Sequence, residues 1–120
     1  MFFKSLCSEE MNASSLKEEY RNGSVFGILR LGEKHLFFRK RLSVFYISYS
    51  EIQKYFRRVH VIEAAGRKIN VESLVIFANA REVCDIQLPG AASVNPVMSL
   101  LKEKMPDTPS EFVKEEETVG

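Results

Sequence analysis

Hydrophobic periodicity switches from strand-like to helical at Pro89-Gly90, and no motif constrains the fold as tightly. From Ser24 to Leu88, β-branched and aromatic residues come in short runs, several alternating with polar ones and separated by turn residues, which is the pattern of strands. Beyond Pro89-Gly90, Val97, Leu100, Leu101 and Met105 recur at helical spacing on one face, with Lys102 and Glu103 outside it. Connections this short cannot make a parallel crossover, so successive strands must pair antiparallel. The closing helix must lay its apolar stripe on whatever surface the strands leave open.

Taken in order, Val25–Leu31 reads as a first strand and Gly32-Glu33 as a tight turn. Lys34–Arg41 then returns as the second arm of a hairpin, with Leu36, Phe38 and Lys40 on one face and His35, Phe37, Arg39 and Arg41 on the other. The richest stretch, Leu42–Ile62, gives a strand to Tyr49, a polar corner holding one inward-pointing Ile52, and a fourth strand over Tyr55–Glu63. Residues 64–68 turn the chain into a fifth strand, Ile69–Ala78. Asn79-Ala80-Arg81 turns it again into a sixth, Glu82–Leu88, where Cys84 shares a face with Ile86 and Leu88. Asn95 with Pro96 suits a helix start, and a start near Ala92 suits equally well; Pro106 ends the helix. Ahead of the strands, Ser14 or Ser15 caps a brief helix, Leu16–Arg21, which offers only Leu16 and Tyr20 for burial and reads as a docking arm. Three segments result: an N-terminal arm over residues 1–22, a β-domain with its helix over 23–105, and a flexible acidic tail over 106–120.

Composition narrows the function classes. With 120 residues, 45% hydrophobic and 28% charged, the chain makes one domain with a real core, and a net charge of +1 gives no global attraction to nucleic acid or membrane. The opening MFFKSLCSEE has too short an apolar run for a secretory leader, so a cytoplasmic protein with free Cys7 and Cys84 is expected. Core packing is the ordinary role for Cys84. Charge is nonetheless segregated. Residues 30–68 hold ten basic side chains against three acidic, and residues 102–120 hold three basic against six acidic.

The segments Gly27–Lys40 (GILRLGEKHLFFRK), Tyr46–Ile52 (YISYSEI) and Arg67–Pro89, followed by a terminal helix, resemble bacterial pleckstrin-homology-like and GRAM-like domains. Ile47, Ser48, Tyr49, Ser50, Glu51 and Ile52 match a corner of the form I-P-Y-x-x-I, with Ser at the usual Pro. The resemblance spans about residues 24–105. It implies a barrel of two near-orthogonal antiparallel sheets, six or seven strands in all, closed by the C-terminal helix. It also implies a non-catalytic interaction module that binds a protein or peptide through a strand edge or the groove beside that helix. Two departures matter: the closing helix lacks the Trp common in eukaryotic relatives, and Lys34 with Arg39-Lys40-Arg41 imitates a phosphoinositide-binding string in the wrong place.

No nucleophile with a base, no metal-ligand spacing and no Gly-rich phosphate loop is present, so neither catalysis nor a cofactor is expected. His35 and His60 read as satisfied or solvent-facing histidines. The remaining chemistry is basic. Arg39, Lys40 and Arg41 close one strand, while Lys54, Arg57 and Arg58 follow the next corner. If these strands lie side by side, the six form an anion-binding face for an anionic lipid or phosphate ligand, with Phe37 and Tyr55 as stacking surface. The competing readings are a solvated strand face that discourages edge pairing, and a face covered by Glu115-Glu116-Glu117 of this or a neighbouring chain. Edge strands pairing two copies into a homodimer is a further expectation.

Overall fold

The computed structural model describes residues 2–7 and 11–119; residues 1, 8–10 and 120, which belong to the expected arm and tail, lie outside the described residues. The elements run β1 (Phe2–Ser5), α1 (Ala13–Asn22), β2 (Ser24–Phe26), β3 (Leu29–Leu31), β4 (His35–Lys40), β5 (Ser43–Ser48), a 3-10 turn (Tyr49–Glu51), β6 (Lys54–Ala64), β7 (Arg67–Ala78), β8 (Arg81–Gln87), α2 (Ala91–Lys104) and β9 (Ser110–Val119). The fold is mainly β, with two sheets and a C-terminal helix. One sheet has the order β1-β5-β4-β3-β2 and the other β8-β7-β6-β9.

The expected closed barrel does not form. Closure would pair β5 with β6 across the corner, and both of those edges are occupied. Strand β1 runs parallel along β5, Phe2 opposite Ser43, and β9 runs parallel along β6, Tyr55 opposite Ser110. The termini thus supply an extra strand to each sheet, which makes both sheets mixed rather than antiparallel. They also raise the number of described strands to nine, against the six or seven expected. One of the nine comes from Gly27, which enters the left-handed region (φ +62) and folds Val25–Leu31 into the small hairpin β2–β3. The tail expected to be flexible is strand β9 from Ser110 onward.

Two cores account for the layers. The inner one joins Leu36, Phe38 and Ile47 of the first sheet to Tyr55, Leu74, Ile76 and Ile86 of the second, with Val94, Val97 and Leu101 of α2 packed on them. Helix α2 takes the earlier of its two expected starts, so Asn95 and Pro96 fall inside it on an exposed side. Ile52 points inward at the corner as expected, 5% exposed. The second core lies on the other side of β4, where Phe37, Val44 and Tyr46 receive Leu16 of α1. Helix α1, expected as a docking arm capped by Ser14 or Ser15, docks Leu16 into this second core; it starts one residue beyond an Asn12 cap that accepts from the Ser14 amide.

One carboxylate fixes α1 to the sheet. Glu19 Oε2 accepts from the amides of Lys34 (2.9 Å) and His35 (2.7 Å), and Oε1 lies 2.8 Å from Nδ1 of the buried His35 ring. The close approach needs a glycine below it. A Cβ at Gly32 would run into the Glu19 carboxylate and stand 2.9 Å from Phe37 Cε2. Charge-assisted hydrogen bonds to an otherwise stranded backbone contribute well above the ordinary bond. We expect Glu19→Ala to lower unfolding free energy in urea by about 2–4 kcal/mol, and Gly32→Ala by about 1–3 kcal/mol through overpacking. The Gly32→Ala cost should shrink in the Glu19→Ala background. Strict additivity of the two would show that the contact does not hold the helix down.

Candidate functional site

Strand register separates the six cations expected to form one face. Arg39, Lys40 and Arg41 sit at the open end of the first sheet, where Arg39 faces Val44 and Lys40 faces Ser43 on β5. Lys54, Arg57 and Arg58 lie on β6 of the second sheet, and the two-residue period sends Arg57 to one face and Arg58, with Lys54, to the other. The expected stacking residues do not serve either group. Phe37 and Tyr55 are buried at 0% and 2% exposure, because each alternates into a core.

The β6 cations are committed within the fold. Arg57 grips the buried Glu72 with two bonds, Nε to Oε2 at 3.2 Å and Nη2 to Oε1 at 3.1 Å, and its guanidinium lies 4.9 Å from the Phe112 ring of β9. The Glu72 hydrogen bond raises the Arg57 pKa. Arg58 reaches Asp85 (2.9 Å) and Glu82 (3.0 Å) on β8, and its Nε lies 3.7 Å from Glu115 on β9. Burial works against its charge, but those carboxylates outweigh it and raise its pKa. Lys54 lies over Phe56 and Phe77, 5.0 and 4.7 Å from the ring centroids. His60, half-buried, meets Glu117 at 3.0 Å and Glu115 at 3.6 Å. The acidic tail does lie across this face in cis.

The other three cations are left open. Arg39, Lys40 and Arg41 are exposed, and among the described residues no carboxylate stands within ion-pair distance of any of them. Beside them lie the two most exposed large apolar side chains described, Leu42 at 79% and Phe2 at 69%. Leu42 is next to Arg41 in the chain, and Phe2 shares a face with Lys40 across Ser43, whereas Arg39 alternates to the other. Leu42 and Phe2 are held together by the Phe2 amide, which donates to the Leu42 carbonyl at 3.3 Å. Lys4, also exposed, stands two residues along β1. Arg41 itself occupies left-handed backbone (φ +58), a region that favours glycine. Charge counting found the cations. The apolar tip was missed, although Phe2 and Leu42 are visible in the sequence, because nothing local announces that β1 runs beside β5.

Behind the tip, a groove of about 410 Å³ runs between Phe38, Lys40 and Phe45 on one side and Cys84 and Asp85 of β8 on the other. Cys7 and Cys84 are free thiols. Among the described residues, no three His, Cys, Asp or Glu side chains are grouped to hold a metal ion, and no helix is long and apolar enough to cross a membrane. No protein-family model matches the chain, and neither curated proteins nor solved structures give a significant match.

Burial, reinforced by Asp85, pushes the Cys84 thiol up to about 12 from its ordinary 9.0. Across that window the unfolded chain releases a proton that the folded chain keeps, so stability is complete below pH 9 and falls as pH rises. Cys84→Ala should flatten this fall. Between pH 8.5 and 10.5 we expect wild type to lose on the order of 1–2 kcal/mol more than the variant in urea titrations. Parallel slopes would show that the folded thiol ionises normally.

Proposed function

We propose that this protein is a non-catalytic binding module, a pleckstrin-homology-like domain with its sheets held open, that docks on anionic membrane surfaces through the β4–β5 tip. The observation that carries the reading is the tip itself: exposed Leu42 and Phe2 with Lys4, Arg39, Lys40 and Arg41 beside them and, among the described residues, no carboxylate within ion-pair distance of Arg39, Lys40 or Arg41. Apolar side chains flanked by cations suit a bilayer interface, where the chains enter the headgroup boundary and the charges meet anionic lipid. At about 1 kcal/mol per cation near such a surface, four cations supply roughly 4 kcal/mol. Partial insertion of Leu42 and Phe2 adds about 2 kcal/mol more. That sum gives reversible, salt-sensitive attachment rather than permanent anchoring. Arg57 and Arg58 take no part in this reading, since their charges are matched inside the second sheet.

Co-sedimentation with vesicles tests it. Wild type should pellet with vesicles containing phosphatidylserine, release as salt rises from about 50 to 300 mM, and ignore neutral vesicles. Arg39→Glu with Arg41→Glu should abolish the binding, and Leu42→Ser should weaken it about five- to tenfold. Binding that is equal on neutral vesicles, or indifferent to the arginine pair, would sink the proposal. Arg41→Gly gives a second, more discriminating readout. It relieves a left-handed backbone and should leave stability unchanged or raised by up to about 1 kcal/mol, while weakening attachment to anionic vesicles several-fold.

A further inference from the structure

Strand β9 is held on β6 in an unusual way. It returns through Met105–Pro109 and lies parallel, with a ladder from Tyr55 opposite Ser110 to Ala64 opposite Val119. Its side chains bury little: Phe112 is 56% exposed, and Glu111, Lys114, Glu115, Glu116 and Glu117 are all exposed. What recognises it, beyond the main chain, is charge and a single ring. Glu115 meets Arg58 and His60, Glu117 meets His60, and Phe112 sits under the Arg57 guanidinium. By contrast β7, on the opposite edge of β6, brings buried Leu74, Val75 and Ile76. One edge of β6 is bonded to the core, and the other is occupied by a segment attached mainly by strand pairing and surface ion pairs, which are individually weak.

We infer that the edge of β6 opposite β7 is a docking slot for an extended acidic peptide and that β9 is its resident occupant in cis. Strand addition supplies the affinity through main-chain hydrogen bonds, and the alternating side chains supply the selectivity. The partner this edge fits has an aromatic residue in the Phe112 position, over Arg57, and carboxylates three and five residues later, at the Glu115 and Glu117 positions beside Arg58 and His60. An incoming peptide competes with a tethered one. Its apparent affinity is therefore reduced by the high effective concentration of β9, and anything that loosens β9 opens the slot. The inference is independent of membrane attachment, which uses the other sheet.

A fluorescein-labelled peptide of residues 108–119 reports on the slot. Wild-type full chain should bind it weakly, and the full-length Glu115→Lys/Glu117→Lys variant, whose own strand is repelled by Arg58 and His60, should bind at least tenfold tighter. Binding should fall with salt and vanish for a peptide carrying the same two lysines. Hydrogen exchange on the variant should show lost protection over residues 111–117 with residues 74–77 still protected. If the double variant does not fold, Glu117→Lys alone serves, since Glu117 is 58% exposed and pairs with His60. Undiminished protection of β9 in the folded variant would overturn the inference, as would lost protection with no peptide binding. A wild-type dimer that exchanges strands between labelled and unlabelled copies would also overturn it, by giving the edge to a second copy of this chain.

Discussion

Strand β4 is apolar on both faces, and the rest of the molecule is arranged to cover it. Leu36 and Phe38 point to one side, His35 and Phe37 to the other, and all four are buried. A strand of this kind cannot sit in a sheet with one wet face. One side requires the second sheet and α2, which meet it through Tyr55, Leu74, Ile76, Val97 and Leu101. The other requires α1, whose Leu16 completes the smaller core. The Glu19 carboxylate then satisfies the Lys34 and His35 amides at the start of β4, so the helix that supplies the cover also satisfies the backbone it would otherwise desolvate. Tyr49 extends the same logic across the corner, donating to the Gly32 carbonyl at 2.8 Å. Burial, with the Glu19 charge, raises its pKa.

The central strands and the closing helix were legible because each is a local pattern. Alternation in β8, the Asn79-Ala80 loop and the inward Ile52 need only a few adjacent residues to be read. Ala65-Gly66 and Asn79-Ala80 bear this out at the backbone level, since all four residues adopt positive φ, as two-residue hairpin loops demand. What escaped was the part that depends on distant pairing. Phe2–Ser5 is too short to announce a strand, and Ser110–Val119 is rich in glutamate, which is depleted in sheets. Both become strands because an open edge of a finished sheet offers them a full ladder, and both arrive parallel, an arrangement that no turn between neighbours encodes. The barrel expected from the element order stays open for this reason. Its seam is filled by the two ends of the chain.

The candidate site shows the same division. Sequence places Arg39, Lys40, Arg41, Lys54, Arg57 and Arg58 close together along the chain, and that much is right. Whether they meet is a question of register. On β6 every arginine has a carboxylate waiting on a neighbouring strand: Glu72 for Arg57, and Glu82, Asp85 and Glu115 for Arg58. Counting His60 with Glu117, these pairs join residues from 15 to 57 positions apart in the chain. No local charge count could have found them.

Register also explains why the tip stays charged. Hairpin β4–β5 offers Arg39 and Lys40 only Val44 and Ser43 as partners opposite, and β1 beyond it adds Phe2 and Lys4 rather than an acid. A solvated face that merely discouraged edge pairing would be well served by cations alone. It would gain nothing from placing Leu42 and Phe2 at the same end, 79% and 69% exposed, where each loses hydration entropy to no benefit. In the second sheet the fold has matched Arg57 and Arg58 and, over Phe56, Phe77 and Phe112, has laid Lys54 and Arg57 across apolar rings. The first sheet does neither at its tip. An unmatched charge beside an uncovered apolar side chain is stable in water at little cost, and both gain free energy together against a surface that is anionic and apolar at once.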